Sequence, residues 1–304
     1  MTREREITIG LVQQACTHER AANLARSAAG IRDAAGRGAA LVLLQELHTG
    51  PYFCQTEDTA AFDLAEPVPG PTTERLGGLA AELGVVIVGS VFERRAAGLH
   101  HNTAVVLERD GGLAGIYRKM HIPDDPGYHE KFYFTPGDLG FHPIDTTAGR
   151  LGVLVCWDQW YPEAARLMTL AGADMLLYPT AIGWDPRDEP AERALQREAW
   201  ITVQRGHAIA NGIAVAVCNR TGHEADSSGR GPGIDFWGSS FLAGPQGEVI
   251  AQAPPDHAAV VVAKVDLRRG EAVRRIWPFL RDRRIDAYGD IVQRFRDRPE
   301  SGSK

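Results

Sequence analysis

Short, uninterrupted apolar runs separated by helical stretches constrain this chain more than any other feature of its sequence. Ile7, Ile9 and Leu11 alternate as in a strand, residues 23–37 carry an Ala-rich helical pattern, and residues 40–45 form an apolar run that ends at Glu46. Such a continuous run suits a strand buried on both faces. The rhythm returns with a helix over 72–83 and a run over 85–91. It returns again with a run over 151–156, a helix over 162–171 that has Pro162 at its first turn, a strand over 174–178, a long helix over 191–211 and a strand over 213–218. Hairpins are expected about Asp110-Gly-Gly112, between strands at 102–107 and 113–117, and about Pro245-Gln-Gly247, between 239–243 and 248–252. A strand over 258–265 and a helical stretch from Arg268 follow. Strand–helix–strand units beside hairpins predict an α/β fold with mixed sheets.

No linker interrupts the 304 residues, and a chain of this length buries roughly three quarters of its unfolded surface. A single domain over 1–304 is expected, with a core at about 5–280 and a C-terminal extension beyond it. The net charge of -6 offers no surface for neutralising phosphates, which excludes nucleic acid as a partner and mildly favours a cationic ligand. Residues 1–6 are charged and lack the apolar run of a secretory signal, and no stretch reaches the length of a membrane span. The expectation is a cytoplasmic protein with no membrane partner. Cys16, Cys54, Cys156 and Cys218 are scattered without CxxC spacing, so neither a disulfide framework nor a metal site is expected.

Residues 120–141 show no periodicity but are rich in Pro, Gly, Asp and aromatics; an irregular segment this long usually has a function, here the covering of a pocket. Residues 224–233 are Gly- and Ser-rich and read as a surface loop.

Three chemically capable side chains each end a predicted strand: Glu46, Lys119 and Cys156. Singly, each has an ordinary explanation, since most cysteines in apolar strands pack the core and most lysines are solvated. Together they supply a nucleophile, a base and a cation, which is enough for acyl transfer without a metal or cofactor. Cys156 lies just before the helix start at Pro162, a setting that favours thiolate. A Cys–His pair using His121 or His129 is the competing assignment. Trp157, Asp158 and Trp160 break the apolar run abruptly, as the rim of a site does.

The motifs Leu43-Leu-Gln-Glu46, Arg118-Lys-Met-His121 and Val153-Leu-Val-Cys-Trp-Asp158, followed by Pro162-Glu163 and Gly238-Ser-Ser240, resemble the nitrilase, or carbon-nitrogen hydrolase, superfamily. The resemblance covers nearly the whole chain. It implies a four-layer αββα sandwich, a Glu46–Lys119–Cys156 triad, a supporting Glu130, and pairing into homo-oligomers through residues 162–171 and 268–288. Within the family, residues 119–134, 156–162 and 178–184 look like the branch that hydrolyses N-carbamoylputrescine to putrescine, carbon dioxide and ammonia, a step of polyamine synthesis from agmatine; His129 stands where Tyr is more usual. A cationic ureido substrate wants a carboxylate, and Asp124, Asp125, Asp158 and Asp185 are the candidates. Tyr52, Trp157 and Trp184 are expected along its methylene chain, with His129 and Ala181 as further substrate contacts. Two alternatives remain: an N-carbamoyl amino acid amidohydrolase, for which Arg187 is the local candidate to clamp a carboxylate, and a catalytically silent binding protein of the same fold.

Overall fold

The structure is a computed structural model that describes residues 6–297. The charged N-terminal stretch falls mostly on residues 1–5, and the end of the expected extension on residues 298–304; both lie outside the described residues. The first half runs β1 (Glu6–Gln13), α1 (Arg20–Gly36), β2 (Leu41–Leu44), α2 (Pro71–Leu83), β3 (Val86–Ala96), β4 (Leu99–Leu107) and β5 (Leu113–Arg118). Then follow α3 (Glu130–Tyr133), β6 (Ile144–Thr146), β7 (Gly149–Val153), α4 (Pro162–Leu170), β8 (Met175–Pro179), β9 (Gly183–Trp184), α5 (Pro190–Asn211) and β10 (Ala214–Cys218). The remainder is β11 (Thr221–Glu224), β12 (Ile234–Trp237), β13 (Phe241–Ala243), β14 (Val249–Gln252), β15 (Ala259–Asp266) and α6 (Arg268–Ile276).

Two six-stranded sheets result, in the orders β15-β1-β2-β3-β4-β5 and β14-β13-β10-β8-β7-β6. Each has three parallel strands at its centre, joined by helices, with antiparallel strands at the edges. The alternation in β2 shows why its apolar run is continuous. Leu41 and Leu43 pack with residues of the second sheet, whereas Val42 and Leu44 pack with Ala28 and Ile31 of α1 and Leu76 of α2. Ala164, Ala165 and Met168 of α4 and Trp200 and Ala208 of α5 are buried against the second sheet. The layers are therefore helices, sheet, sheet, helices: the four-layer αββα sandwich with mixed sheets.

Three features differ from the sequence expectation. The strand expected to run to Cys156 ends at Val153, and Cys156 opens a 3-10 turn, Cys156–Trp160. The expected loop 224–233 is a largely exposed connection from β11 to β12, but these two strands form with β9 an unexpected third, three-stranded sheet. The irregular stretch 120–141 contains the single helical turn α3. Among the described residues no helix is long and apolar enough to cross a membrane.

The two large sheets meet at the carboxyl ends of their parallel strands, where a backbone bond crosses from one to the other. Glu46 N, after β2, donates to Thr180 O, after β8 (3.3 Å), while Thr180 N donates to Cys218 O of the neighbouring β10 within the second sheet (2.8 Å). Side chains following β2, β5, β7, β8 and β10 converge there, the end at which open α/β sheets place ligands.

Candidate active site

Lys119, immediately after β5, is fully buried, and its ammonium is held by Glu46 Oε1 (2.9 Å) and by both oxygens of Glu130 (2.8 and 2.7 Å). A buried ammonium without such partners would give up its charge. Burial works to lower the Lys119 pKa, but Glu130 and Glu46 outweigh it and keep the side chain charged. Burial also pushes Glu130 up to about 7, against the opposing Lys119 charge.

Glu46 Oε1 accepts a second bond, from Asn102 Nδ2 (2.6 Å), so two donors fix that oxygen. Glu46 Oε2 is buried and, among the described residues, accepts no hydrogen bond. One carboxylate oxygen is thus anchored and the other is left available for a proton.

Cys156 adopts a φ of 42°, in the left-handed region, which costs a non-glycine residue about 1–3 kcal/mol and persists where the surroundings enforce it. Asp158 is one such enforcer. Its Oδ2 accepts from Val155 N (2.9 Å) and the Tyr117 hydroxyl (2.8 Å), and its Oδ1 accepts from His121 N (3.0 Å) and lies 2.7 Å from His121 Nδ1. Fully buried and fully engaged, Asp158 braces the Cys156 turn and is not presented to a substrate as expected. The Cys156 thiol donates to Ala181 O (3.6 Å). Burial, then the Glu46 carboxylate, push the thiol well above its usual range, and Lys119 only partly offsets them. Burial thus works against the thiolate that the sequence setting favours, and the thiol proton calls for a base nearby.

The remaining expected site residues divide. Tyr52 is buried behind the acids, its hydroxyl donating to Glu130 Oε1 (2.7 Å), so it supports Glu130 instead of lining a channel. His129 donates its main-chain N–H to Cys54 O (2.8 Å), pinning the start of α3, while its ring lies 3.9 Å from the exposed Asp124. Asp125 is half-buried and exchanges main-chain bonds with Tyr128 (2.8 and 3.3 Å). Trp157 is half-buried beside Cys156 and meets Trp160 edge-on. Trp184 bonds Arg193 O through Nε1 (2.8 Å) and lies under the guanidiniums of Arg193 and Arg197. Arg187 is exposed and pairs with Asp185 (2.6 Å). The His121 ring stacks on Tyr161 at 3.8 Å and faces Asp158, which leaves no Cys156–His121 pair.

Several residues escaped the sequence reading. Tyr128, whose electrostatic neighbours include Cys156, Glu46 and Glu130, exchanges bonds with Gly183 through its hydroxyl (3.0 and 3.3 Å), tying the covering stretch to β9. Asn219 grips Ile182 at both N–H and C=O (3.0 Å each), next to Ala181. Arg220 and Glu224 form a buried pair on the other side of Glu46. The only sequence signal was a polar Asn-Arg step at the end of an apolar strand.

Known proteins resemble this chain over nearly its whole length. The model of the carbon-nitrogen hydrolase family matches residues 8–275. N-carbamoylputrescine amidase of Arabidopsis thaliana is 46% identical over 288 residues, covering 94% of this chain and 95% of that one. Citrullinase of Francisella tularensis subsp. tularensis is 38% identical over 95% of this chain and 99% of that one. The crystal structure of a carbon-nitrogen hydrolase from Helicobacter pylori G27 matches with a TM-score of 0.93 at 51% identity, covering 96% of this chain and 100% of that one.

Proposed function

The chain belongs to the carbon-nitrogen hydrolase family, and on that premise we propose that it hydrolyses N-carbamoylputrescine to putrescine, carbon dioxide and ammonia, with Cys156 as nucleophile, Glu46 as general base and acid, and Lys119 as electrostatic stabiliser. The observation that carries the mechanism is Glu46: Oε1 is fixed by Lys119 and Asn102, while Oε2 is buried and uncommitted in the same site as a protonated thiol. Glu46 takes the thiol proton as sulfur attacks the ureido carbon. The Lys119 ammonium and the Trp157 amide, in the first turn after the nucleophile, stabilise the oxyanion. Collapse expels one nitrogen, protonated by Glu46, and leaves a carbamoyl thioester. Glu46 then deprotonates a water that cleaves the thioester, and the released carbamic acid yields carbon dioxide and the second amine; one water is consumed per turnover. Glu130, held by Tyr52, orients Lys119.

For the distal ammonium we assign Asp125, because Asp158 is spent inside the protein, Asp185 is tied to Arg187, and Asp124 is exposed beside His129. Trp157 and Trp184 flank the methylene chain. The reading includes no cofactor, a cytoplasmic setting, which four unpaired cysteines suit, and self-association as a homo-oligomer, which the exposed Leu167, Leu170, Ile276, Trp277 and Ile285 favour.

The test is ammonia release from N-carbamoylputrescine, N-carbamoyl-β-alanine and citrulline side by side, with Cys156→Ala as blank. N-carbamoylputrescine should be strongly preferred. Asp125→Asn should raise KM for it by about tenfold or more, the scale of one lost charge-assisted contact, with kcat little changed. Preference for either amino acid substrate would overturn the substrate while keeping the triad.

A further inference from the structure

Arg220 follows β10, is fully buried, and directs its guanidinium at the segment that carries Glu46. Nη2 donates to the main-chain carbonyls of Glu46 (3.0 Å) and Leu47 (2.9 Å), and Nη1 to that of Gly50 (3.1 Å) and to Glu224 Oε1 (2.5 Å). That segment needs an external hold, because β2 has already ended and Leu47 has a φ of 47°, a conformation unfavourable for a branched side chain. Glu224 continues the linkage: its Oε2 accepts from Tyr52 N (2.6 Å), and the Tyr52 hydroxyl reaches Glu130 Oε1 (2.7 Å). Both acids that hold Lys119 therefore hang from one ion pair, Glu46 by its own carbonyl and Glu130 through Tyr52.

A buried pair is weak evidence for stability as such, since apolar residues of similar volume often serve as well. What apolar residues do not supply is a planar fork that meets several carbonyls at fixed angles. Asn219, the preceding residue, meanwhile fixes Ile182 beside the carbonyl that receives the Cys156 thiol. We propose that the Arg220–Glu224 pair is a positioning device for the reaction, setting the aim of the Glu46 carboxylate toward Cys156 and the placement of Glu130 against Lys119. The inference rests on the triad reading above.

Arg220→Lys tests it, because lysine keeps the charge and loses the fork. On folded protein well below its melting temperature, KM should stay within about threefold of wild type while kcat falls about 100-fold, the scale expected for a catalytic group displaced by an ångström. A second readout is the pH profile of Cys156 alkylation by iodoacetamide, followed on the Cys156 peptide by mass spectrometry; alkylation should slow and its midpoint should move as Glu46 loses its aim. A purely structural role would lower the melting temperature but leave kcat and the alkylation profile of the folded protein as in wild type, and that outcome overturns the proposal. Glu224→Gln carries the same test through the other half of the pair, and failure of both variants to fold overturns it in favour of a folding role. Cys156→Ala runs alongside: surviving turnover there would sink the triad reading, whereas its loss together with a wild-type-like Arg220→Lys would sink the positioning role alone.

Discussion

Burial and the Lys119 ammonium act on the Glu130 carboxyl in opposite directions, and burial prevails, to about 7. Above that pH Glu130 is a carboxylate that shares the ammonium with Glu46; below it a proton displaces one of the charges that keep Lys119 in place. Activity should accordingly fall as pH drops through about 7. Glu130→Gln should be slow and should lose that acid limb, as kcat/KM against pH would reveal; an unchanged limb in the variant would assign the titration elsewhere. Glu46 and Cys156 were legible because each stands where an apolar run stops, and Lys119 because it follows the end of a predicted strand. Asn102, Asn219 and Arg220 were not, because their roles arise from partners in other strands. Tyr52 and Asp158 were legible as neighbours of the site but not in their direction: spacing says that a side chain lies near a strand end, not that it turns inward to brace an acid or a turn.

At the scale of elements, the apolar runs located the central strands because burial on both faces leaves a continuous pattern. The strands of the small third sheet, β9, β11 and β12, are two to four residues long, and β9 and β11 carry Gly, Thr, His and Glu with a single apolar residue, so no sustained periodicity marked them. Cys156 was read as strand because three more apolar positions, 154–156, follow β7 without a break, although the ladder ends at Val153. Within the covering stretch, Gly137 is a close-approach position. Its N–H donates to Lys119 O (2.8 Å), and a Cβ there would lie 2.0 Å from Arg118 O. Gly137→Ala must push this stretch away from Lys119, with a stability cost of about 1–3 kcal/mol and a loss of about tenfold or more in kcat from displacement of the ammonium. Thermal melting and steady-state kinetics would check this; wild-type kcat in the variant would mean that the stretch is not fixed through Gly137.

Across the whole molecule, two sheets of similar plan face each other through one apolar interior, and the candidate site lies where their parallel strands end. Neither half holds the chemistry alone: Glu46 and Lys119 come from the first sheet, Cys156 and its acceptor Ala181 from the second, and Arg220 reaches back across to the first. That division explains why groups so far apart in the chain meet in a buried cluster. It also makes covalent transfer to Cys156, driven from the opposite sheet by Glu46, the central claim. The most direct measurement is acid quenching of the enzyme during turnover of N-carbamoylputrescine, with mass analysis of the Cys156 peptide. A carbamoyl or N-alkylcarbamoyl adduct should appear on Cys156, accumulate further in Glu46→Gln under prolonged incubation, and be absent from Cys156→Ala. Sustained ammonia and putrescine release with an unmodified Cys156 peptide, or turnover by Cys156→Ala, would contradict it.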